Sequence, residues 1–240
     1  MRITFNRRSS RHADERRAFT ANRPQSLSRG RFLLTLTALS FILFLPACTT
    51  LKVLAYEGIG RDRWQQPDEV VQALEVKPGD AIADIGSGGG YFALRLAEAV
   101  GPDGVVYAAD IDEAINRHLE RRARRASQEN IEIILADPDD PRLPESGVDL
   151  IFMCNTYHYL DDATTYFANV RQYLRDPGRV AIIDFDGTTW FHRVTGHWSD
   201  RDKVVQEVEA AGYELTAEFD FLDRQYFLVF SPTSLTGDRI

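Results

Sequence analysis

Residues 80–92 read DAIADIGSGGGYF, and this stretch decides the fold. The apolar run over 81–85 predicts a short buried strand. Four glycines within the next five residues predict a tight turn, and an apolar helical pattern begins at Phe92. Glycine lets the backbone take positive φ and approach a ligand closely, and the start of a helix offers unpaired N–H groups. A strand, a glycine turn and a helix in this order are typical of a nucleotide-binding site.

The spacing of these glycines separates two classes of cofactor. In the dinucleotide pattern G-x-G-x-x-G, counted from Gly86, the third glycine would fall at Tyr91, so the pattern fails. Instead Gly86, Gly88 and Gly90 alternate, and Asp84 stands at the strand end. A carboxylate there would repel a pyrophosphate, whereas it suits a cationic amino-acid group. A nicotinamide-dependent oxidoreductase is therefore the less favoured alternative.

The front of the chain is unlike a folded domain. Residues 1–31 carry nine arginines and two acids, and residues 32–47, FLLTLTALSFILFLPA, are free of charge. Sixteen residues are short for a membrane span but typical of the apolar part of a signal peptide. The alternative is an uncleaved anchor in the inner membrane. In both cases the arginine-rich flank should stay in the cytoplasm and the domain should be exported.

Cys48 follows the apolar run directly. The segment Leu45-Pro46-Ala47-Cys48 resembles the lipobox of bacterial lipoproteins, which implies lipidation at Cys48. The resemblance implies attachment on the periplasmic side and, since Thr49 follows the cysteine, the outer membrane. The predicted organisation is a signal peptide or membrane anchor over 1–47, a lead-in over 48–63, a domain over 64–231 and a tail over 232–240.

Charge and cysteine content exclude some functions. Without residues 1–47 the chain has 19 basic and 34 acidic residues, a formal charge of about −15. Nucleic-acid binding needs a basic footprint, so DNA and RNA are not expected partners. Cys154 is the one cysteine besides Cys48, which excludes a thiolate metal site and a disulfide within the domain. We predict no metal site.

Helical and strand patterns alternate along the rest of the chain, which predicts an α/β doubly wound sheet. The predicted strands after the first lie at 104–109, 131–135, 148–154, 179–185, 214–220 and 225–230. Helices are predicted from Pro67 and Phe92 and over 112–125, 162–174 and 200–211, with a Trp- and His-bearing loop over 188–199. The turn between the last two strands is too short for a crossover helix, so this pair should be antiparallel.

Five short motifs follow one another in this frame. They are Asp84 with Gly86, Gly88 and Gly90; Asp110, 24 residues after Gly86; Ala136-Asp137; the strand Asp149-Leu150-Ile151-Phe152; and the turn Arg175-Asp176-Pro177-Gly178-Arg179. Over residues 62–231 the chain resembles class I S-adenosylmethionine-dependent methyltransferases of the type 11-like kind. The fragments Trp64-Gln65-Gln66-Pro67, Asn155-Thr156-Tyr157-His158 and Asp220-Phe221-Leu222 resemble an exported bacterial subgroup of them.

The resemblance implies a Rossmann-like sheet of seven strands in the order 3-2-1-4-5-7-6, with the last strand antiparallel. It implies S-adenosyl-L-methionine as the cofactor. The implied cofactor-binding residues are Asp84, Gly86, Ser87, Gly88, Gly90, Tyr91, Asp110, Ile111, Asp137 and Asn155. Asp110 would accept hydrogen bonds from both ribose hydroxyls, with a helix N-cap as its alternative role. Asp137 would approach the adenine amino group, with a turn residue as its alternative role.

The catalytic candidates lie just after the predicted strand 148–154. Ligands of open α/β sheets bind beyond the carboxyl ends of the strands, so His158 is the candidate general base and Tyr157 its orienting partner. The alternative is that His158 caps or packs the next helix. The predicted acceptor is a small molecule, a lipid-like or quinone-like compound, or a protein. The sequence leaves open the methylated atom and the oligomeric state.

A non-catalytic alternative also follows from the sequence. The cofactor is made in the cytoplasm, whereas this domain is predicted to be exported. The chain could then be a lipoprotein that uses the fold as a binding module for a nucleoside or another small molecule.

Overall fold

Strand β1, Ala81–Ile85, is buried along its whole length in the interior of a seven-stranded sheet. The structure is a computed structural model that describes residues 60–145 and 147–233, without the side chain of Phe191. β1 pairs in parallel with a strand on each side. A parallel strand with both faces covered is expected to be apolar throughout, as AIADI is except for Asp84.

The remaining strands follow the predicted topology. They are β2 Val105–Asp110, β3 Ile131–Leu135, β4 Val148–Cys154, β5 Leu174–Phe185, β6 Tyr213–Phe219 and β7 Gln225–Pro232. Their order is β3-β2-β1-β4-β5-β7-β6. β7 runs antiparallel to both β5 and β6. The predicted fold class and strand order are therefore confirmed.

Helices cover both faces of the sheet. They are α1 Arg61–Gln65, α2 Pro67–Ala73, α3 Ala93–Val100, α4 Glu113–Arg125, α5 Ala163–Val170, α6 Trp190–Thr195 and α7 Arg201–Ala210, with 3-10 turns at Tyr157–Tyr159 and Arg171–Tyr173. The helix predicted over 162–174 is thus shorter. β5 begins five residues before its predicted start because Leu174 already pairs with Val148. The predicted 188–199 loop contains the short helix α6.

The sheet separates two apolar clusters. Alternate residues of β4 point to opposite faces, as the period of two requires: Leu150 and Phe152 join the cluster under α3, and Ile151 and Met153 join the cluster under α5 and α7. The carboxyl ends of the parallel strands project beyond both clusters at one edge. That edge is where the polar residues singled out by the sequence should meet.

Helix α1 is part of this packed fold. The side chain of Gln65 is fully buried, and its Nε2 donates to Gln225 Oε1 at 2.8 Å, at the first residue of β7. The helix begins three residues before the predicted domain start at Trp64. The predicted signal peptide or anchor, Cys48, most of the lead-in and most of the tail lie outside the described residues. Among the described residues, no helix has both the length and the apolar character needed to cross a membrane.

A pair of glycine variants tests the packing behind the first turn. A Cβ on Gly90 would lie 2.2 Å from Leu119 Cδ1 of α4, whereas a Cβ on Gly196, after α6, would meet nothing within 4 Å. Both residues have positive φ, so Gly196→Ala should lose roughly 1–2 kcal/mol of unfolding free energy from the backbone alone. Gly90→Ala should lose about 1–3 kcal/mol more from overpacking. Urea denaturation measures both, and equal losses would contradict the described contact.

Candidate functional site at the carboxyl edge of the sheet

The turn after β1 approaches the tip of β4 closely. Gly86, Gly88 and Gly90 have φ values of 71°, 54° and 85°, a region that L side chains rarely adopt. A Cβ on Gly86 would lie 2.2 Å from Thr156 Oγ1. The glycine at 86 therefore lets two neighbouring strand ends meet without a side chain between them. This explains in packing terms why the motif begins with glycine.

Asp110 ties the tip of β2 to the same turn. Its Oδ2 accepts from the backbone N–H of Gly88, and its Oδ1 from that of Asp112, both at 2.9 Å. The N-cap of α4 is Asp112, whose carboxylate accepts from Ala114 and Ile115. The alternative role of Asp110 as the helix cap is therefore wrong. Each carboxylate oxygen accepts more than one hydrogen bond, so Asp110 retains capacity for ligand hydroxyls.

Ile111 follows Asp110 at the surface of the edge. Its side chain is 62% exposed, which is unusual for an isoleucine between a buried strand and a helix. The position agrees with an apolar contact to a ligand seated beside Asp110. Exposure of a single apolar side chain is also common on protein surfaces, so the predicted role stays a prediction.

Two buried polar side chains at the end of β1 each have an oxygen without a hydrogen-bond partner among the described residues. Asp84 is 3% exposed and Ser87 is 7% exposed, and Asp84 Oδ2 and Ser87 Oγ have no hydrogen-bond partner among the described residues. Burial raises the pKa of Asp84 to about 7; the Arg61 guanidinium opposes this rise and the Asp110 carboxylate adds to it. A buried polar group left unpaired costs about 1–3 kcal/mol. Such atoms at the end of a strand indicate a place for a polar ligand.

Arg61 of α1 lies over this end of the sheet, and the sequence analysis did not identify it. Its guanidinium carbon is 3.8 Å from the centre of the Tyr91 ring, and its Nη2 is 3.9 Å from Cys154 Sγ at the tip of β4. The Tyr91 hydroxyl donates to Asp62 of the same helix. Tyr91, predicted to bind cofactor, thus holds α1 against the glycine turn. No motif spacing marked Arg61, since it precedes the first quoted fragment.

His158 lies in the 3-10 turn after β4 and contacts a buried acid. Its Nδ1 is 2.8 Å from Asp184 Oδ1 and 3.0 Å from Oδ2, and its backbone N–H donates to Oδ2 at 3.0 Å. The His158 side chain is 4% exposed and that of Asp184 is fully buried. His158 Nε2 is buried and has no partner among the described residues. The arrangement fixes one nitrogen of the ring and leaves the other available to a ligand.

The predicted role of Tyr157 needs correction. Its hydroxyl donates to Glu207 Oε2 of α7, and its ring stacks on Phe167 in the core. The phenol therefore points away from His158, and Asp184 is the residue that orients the imidazole. The alternative that His158 caps the next helix is also wrong, because the N-cap of α5 is Asp162. No motif in the sequence marks Asp184 as the partner of His158.

The Asn155 side chain is held in place by a hydrogen bond from Gln225. The residue has φ 57°, in the left-handed region, and its Oδ1 accepts from Gln225 Nε2 at 2.5 Å. Gln225 in turn accepts from Gln65. The carbonyl oxygen of the Asn155 amide is thus engaged by a buried chain of amides that reaches α1. Neither glutamine was singled out by role, although Gln65 stood in a quoted fragment.

Asp137 is a turn residue, as its alternative role predicted. Its backbone N–H donates to the carbonyl oxygen of Asp140 at 2.9 Å, and its Oδ2 accepts from Arg142 Nε at 2.7 Å. The carboxylate is about half exposed. Because Oδ2 is also 2.5 Å from Arg142 Nη2, an adenine contact would have to use the other oxygen. No group of three or more His, Cys, Asp or Glu side chains could hold a metal within residues 60–145 and 147–233.

Comparisons with known proteins agree with this architecture. Residues 82–178, less than half of the chain, match a family model described as a methyltransferase domain. The arsenite methyltransferase of Halobacterium salinarum is 27% identical over 114 residues, which are 48% of this chain and 29% of that protein. Nocamycin O-methyltransferase of Saccharothrix syringae is 26% identical over 113 residues, or 47% and 40% of the two chains. The chain thus spans less than half the length of these curated relatives.

Solved structures give the fold. A SAM-dependent methyltransferase from Aquifex aeolicus superposes with a TM-score of 0.71 at 21% identity, covering 76% of this chain and 97% of that one. The matched domain supports the predictions of an enzyme and of its cofactor, and the solved structure supports the fold. The strand order, the matched residues and the superposition together show that the described part of the chain has the class I methyltransferase fold.

Proposed function

We propose that the protein transfers a methyl group from S-adenosylmethionine to a small-molecule, lipid-like or protein acceptor. One observation carries the proposal. Three buried polar atoms have no hydrogen-bond partner among the described residues and lie at or just after the ends of the adjacent strands β1 and β4: Asp84 Oδ2, Ser87 Oγ and His158 Nε2. Native proteins pair nearly all such atoms. Unpaired atoms gathered at the ligand-binding edge of an α/β sheet indicate both a cofactor site and a reacting group.

The residues at this edge fit the cofactor. The Asp84 carboxylate suits its cationic amino group, Ser87 and the N–H groups of the glycine turn suit its carboxylate, and Asp110 suits its ribose hydroxyls. The cofactor supplies an electrophilic methyl group on a sulfonium. The chain has to place a nucleophile in line with that methyl group. His158 can take the proton that an oxygen or nitrogen nucleophile must lose, because Nε2 of a neutral imidazole that carries its proton on Nδ1 is a proton acceptor.

The two other functional classes have less support. A binding module has no need for a buried imidazole whose one nitrogen is fixed by an acid and whose other is unpaired, so the non-catalytic alternative is not favoured. A nicotinamide cofactor would put its pyrophosphate at the glycine turn. There the buried Asp84 would oppose it once ionised.

We further propose that the domain acts outside the cytoplasm, attached to a membrane through residues 32–47 or a lipidated Cys48. The proposal rests on the arginine-rich flank, the uncharged run and the cysteine that follows it. These residues lie outside the described part of the chain. The outer membrane is the proposed destination in a cell that has one.

Cofactor affinity should depend on pH through Asp84. With a pKa of about 7, Asp84 is ionised above pH 7 and protonated below it, and only the ionised form attracts the amino group of the ligand. Calorimetric titration with S-adenosylhomocysteine should therefore show affinity that is constant near pH 8 and falls by up to about ten-fold per pH unit below pH 7. Arg61 and Asp110 are the charged groups that face Asp84.

Asp84→Asn should weaken binding at pH 8 and remove most of this pH dependence. Asp103→Asn, at an exposed aspartate before β2, is the matched control and should behave as wild type. Unchanged affinity in Asp84→Asn would move the cofactor site away from the end of β1. Binding of NADH in preference to S-adenosylhomocysteine would favour the oxidoreductase alternative.

The same substitution should stabilise the ligand-free protein. A carboxyl whose pKa is raised by folding binds more protons in the native state, so its contribution to stability falls as pH rises from about 4 to 7. Asp84→Asn should remove this penalty, with a gain of roughly 1–4 kcal/mol above pH 7 that shrinks toward pH 4. Urea denaturation at several pH values measures it. A gain that is independent of pH would contradict the assignment to the Asp84 charge.

Attachment can be tested by metabolic labelling. Cells given labelled palmitate should incorporate label into the protein, and Cys48→Ser should abolish the incorporation because it removes the acylated thiol. Cys154→Ser is the matched control, since Cys154 is buried and its pKa is raised to about 12 by burial. Absence of label in the wild type, with the protein in the membrane fraction, would favour the uncleaved anchor.

A further inference from the structure

The acceptor side of the site contains His158, Asp184 and two more rings, and it constrains the chemical class of the acceptor. We propose that Asp184 is a positioning residue that commits His158 Nε2 to accepting a proton, and that the acceptor is the hydroxyl of a planar aromatic compound, a phenol. This inference rests on the proposed methyl transfer. It adds the nucleophile atom, the shape of the acceptor and a role for Asp184.

The first step concerns the position of the proton on the imidazole. Nδ1 lies within 3.0 Å of both oxygens of Asp184, and an ionised carboxylate only accepts hydrogen bonds. Nδ1 must therefore carry the proton. In a neutral ring the lone pair then lies on Nε2, the nitrogen that has no partner. The ring is thus held in the tautomer that a general base requires at Nε2.

The second step concerns the rigidity of Asp184. Its carboxylate also accepts from the backbone N–H of Phe185 at 2.8 Å and from Ser199 Oγ at 3.1 Å. Ser199 Oγ in turn hydrogen-bonds the Tyr226 hydroxyl on β7. A fully buried carboxylate with this many donors is fixed in orientation and stabilised in its charged form. It can therefore stabilise the imidazolium that forms when Nε2 takes a proton.

The third step concerns the shape of the acceptor. The Tyr159 ring lies 4.2 Å from the His158 ring between centroids, and the His197 ring stacks on His158 at 5.5 Å and 28°. Tyr159 and His197 are 5.6 Å apart, and Tyr159 is 58% exposed. Three neighbouring rings, of which Tyr159 and His197 are open to solvent, form a surface on which a flat aromatic molecule packs favourably. A long flexible acceptor chain has no flat face that could stack on these rings.

The fourth step concerns the nucleophile. A neutral hydroxyl is a weak nucleophile until its proton is transferred, so it needs a base in contact with it. The hydroxyl proton goes to His158 Nε2 while an oxygen lone pair forms the new C–O bond to the methyl carbon. The methyl–sulfur bond breaks, and its electron pair stays on sulfur. A free amine already has its lone pair and would gain little from a fixed Nε2.

The test compares two phenols with the full-length protein and excess S-adenosylmethionine. Para-cresol has an unactivated hydroxyl, whereas para-nitrophenol is largely ionised at pH 8 and needs no base. Asp184→Asn should lower kcat for para-cresol on the order of 10²–10⁴-fold, and the loss for para-nitrophenol should be at least ten-fold smaller. Asp186→Asn, two residues further on with its carboxylate bonded to Thr188, is the matched control. It should change neither rate more than about two-fold, because its carboxylate is bonded to Thr188 of its own loop.

Two further measurements distinguish a positioning role of Asp184 from a merely structural one. They are the dependence of the rate on pH and a nitrogen-15 NMR spectrum of the imidazole. The dependence of the para-cresol rate on pH should change in Asp184→Asn, because the substitution removes the carboxylate that contacts His158 Nδ1. The titratable groups around His158 are Asp184 on β5, His192 and His197 after β5, and its neighbour Tyr159. Nitrogen-15 NMR of the imidazole should show the Nδ1-protonated tautomer in the wild type and its loss in Asp184→Asn.

The outcomes separate this inference from the proposed function. Normal S-adenosylhomocysteine binding in the wild type, with no turnover of either phenol or with faster turnover of benzylamine, would overturn the phenol assignment alone. Equal losses for both phenols in Asp184→Asn, or an Nε2-protonated ring in the wild type, would overturn the role of Asp184. Absence of S-adenosylhomocysteine binding in the wild type would overturn the proposed function and this inference with it.

Discussion

Parallel pairing of β1 with both β2 and β4 is the constraint on which the site depends. The pairing brings the ends of these strands to one edge. The close approach of Gly86 to Thr156 brings the loop after β1 against the loop after β4. The Asp110 carboxylate then fixes the glycine turn against β2. With these positions set, Asp84 and His158 have to lie beside the same space, although 73 residues separate them in the chain.

The sheet stabilises an edge that would be costly by itself. Burying Asp84 Oδ2 and Ser87 Oγ without partners among the described residues opposes folding, whereas the two apolar clusters on either face of the sheet favour it. Local instability at functional positions is common when the surrounding structure determines the conformation. Here the surrounding structure is the run of buried aliphatic and aromatic side chains on β1 and β4. A more stable edge would have fewer groups left to hold a ligand.

The fold could be predicted because its signals are local and repeated. The strands 81–85, 131–135 and 148–154 were predicted with the bounds that the structure gives them, since each is an apolar run between turn residues or acids. β5 was predicted too short because the pairing of Leu174 with Val148 is a tertiary contact that no local pattern shows. The short helix α6 was missed because six residues inside a loop make little periodicity.

Site residues were predicted where a motif contains them, and missed where only the fold brings them in. Asp84 and Asp110 lie at the ends of strands and His158 lies just after one, so their positions in the sequence were enough to predict them. Arg61 and Asp184 reach the site from helices and strands far away in sequence. Tyr157 was assigned a role from its neighbour's position alone, and its side chain points to Glu207 because adjacent residues of a 3-10 turn project in different directions.

Helix α1 has five residues, which is far below the length at which an isolated helix persists in water. It exists because Tyr91 holds Asp62 and because Gln225 holds Gln65. Breaking these bonds, together with the Arg61 contacts to Tyr91 and Cys154, would release α1 without breaking a strand pairing, so α1 can unfold locally at a lower free energy than the sheet. Local opening of α1 would therefore expose the edge beside the glycine turn while the sheet stays folded. Ligand exchange can be fast in a protein whose core exchanges its amide hydrogens slowly.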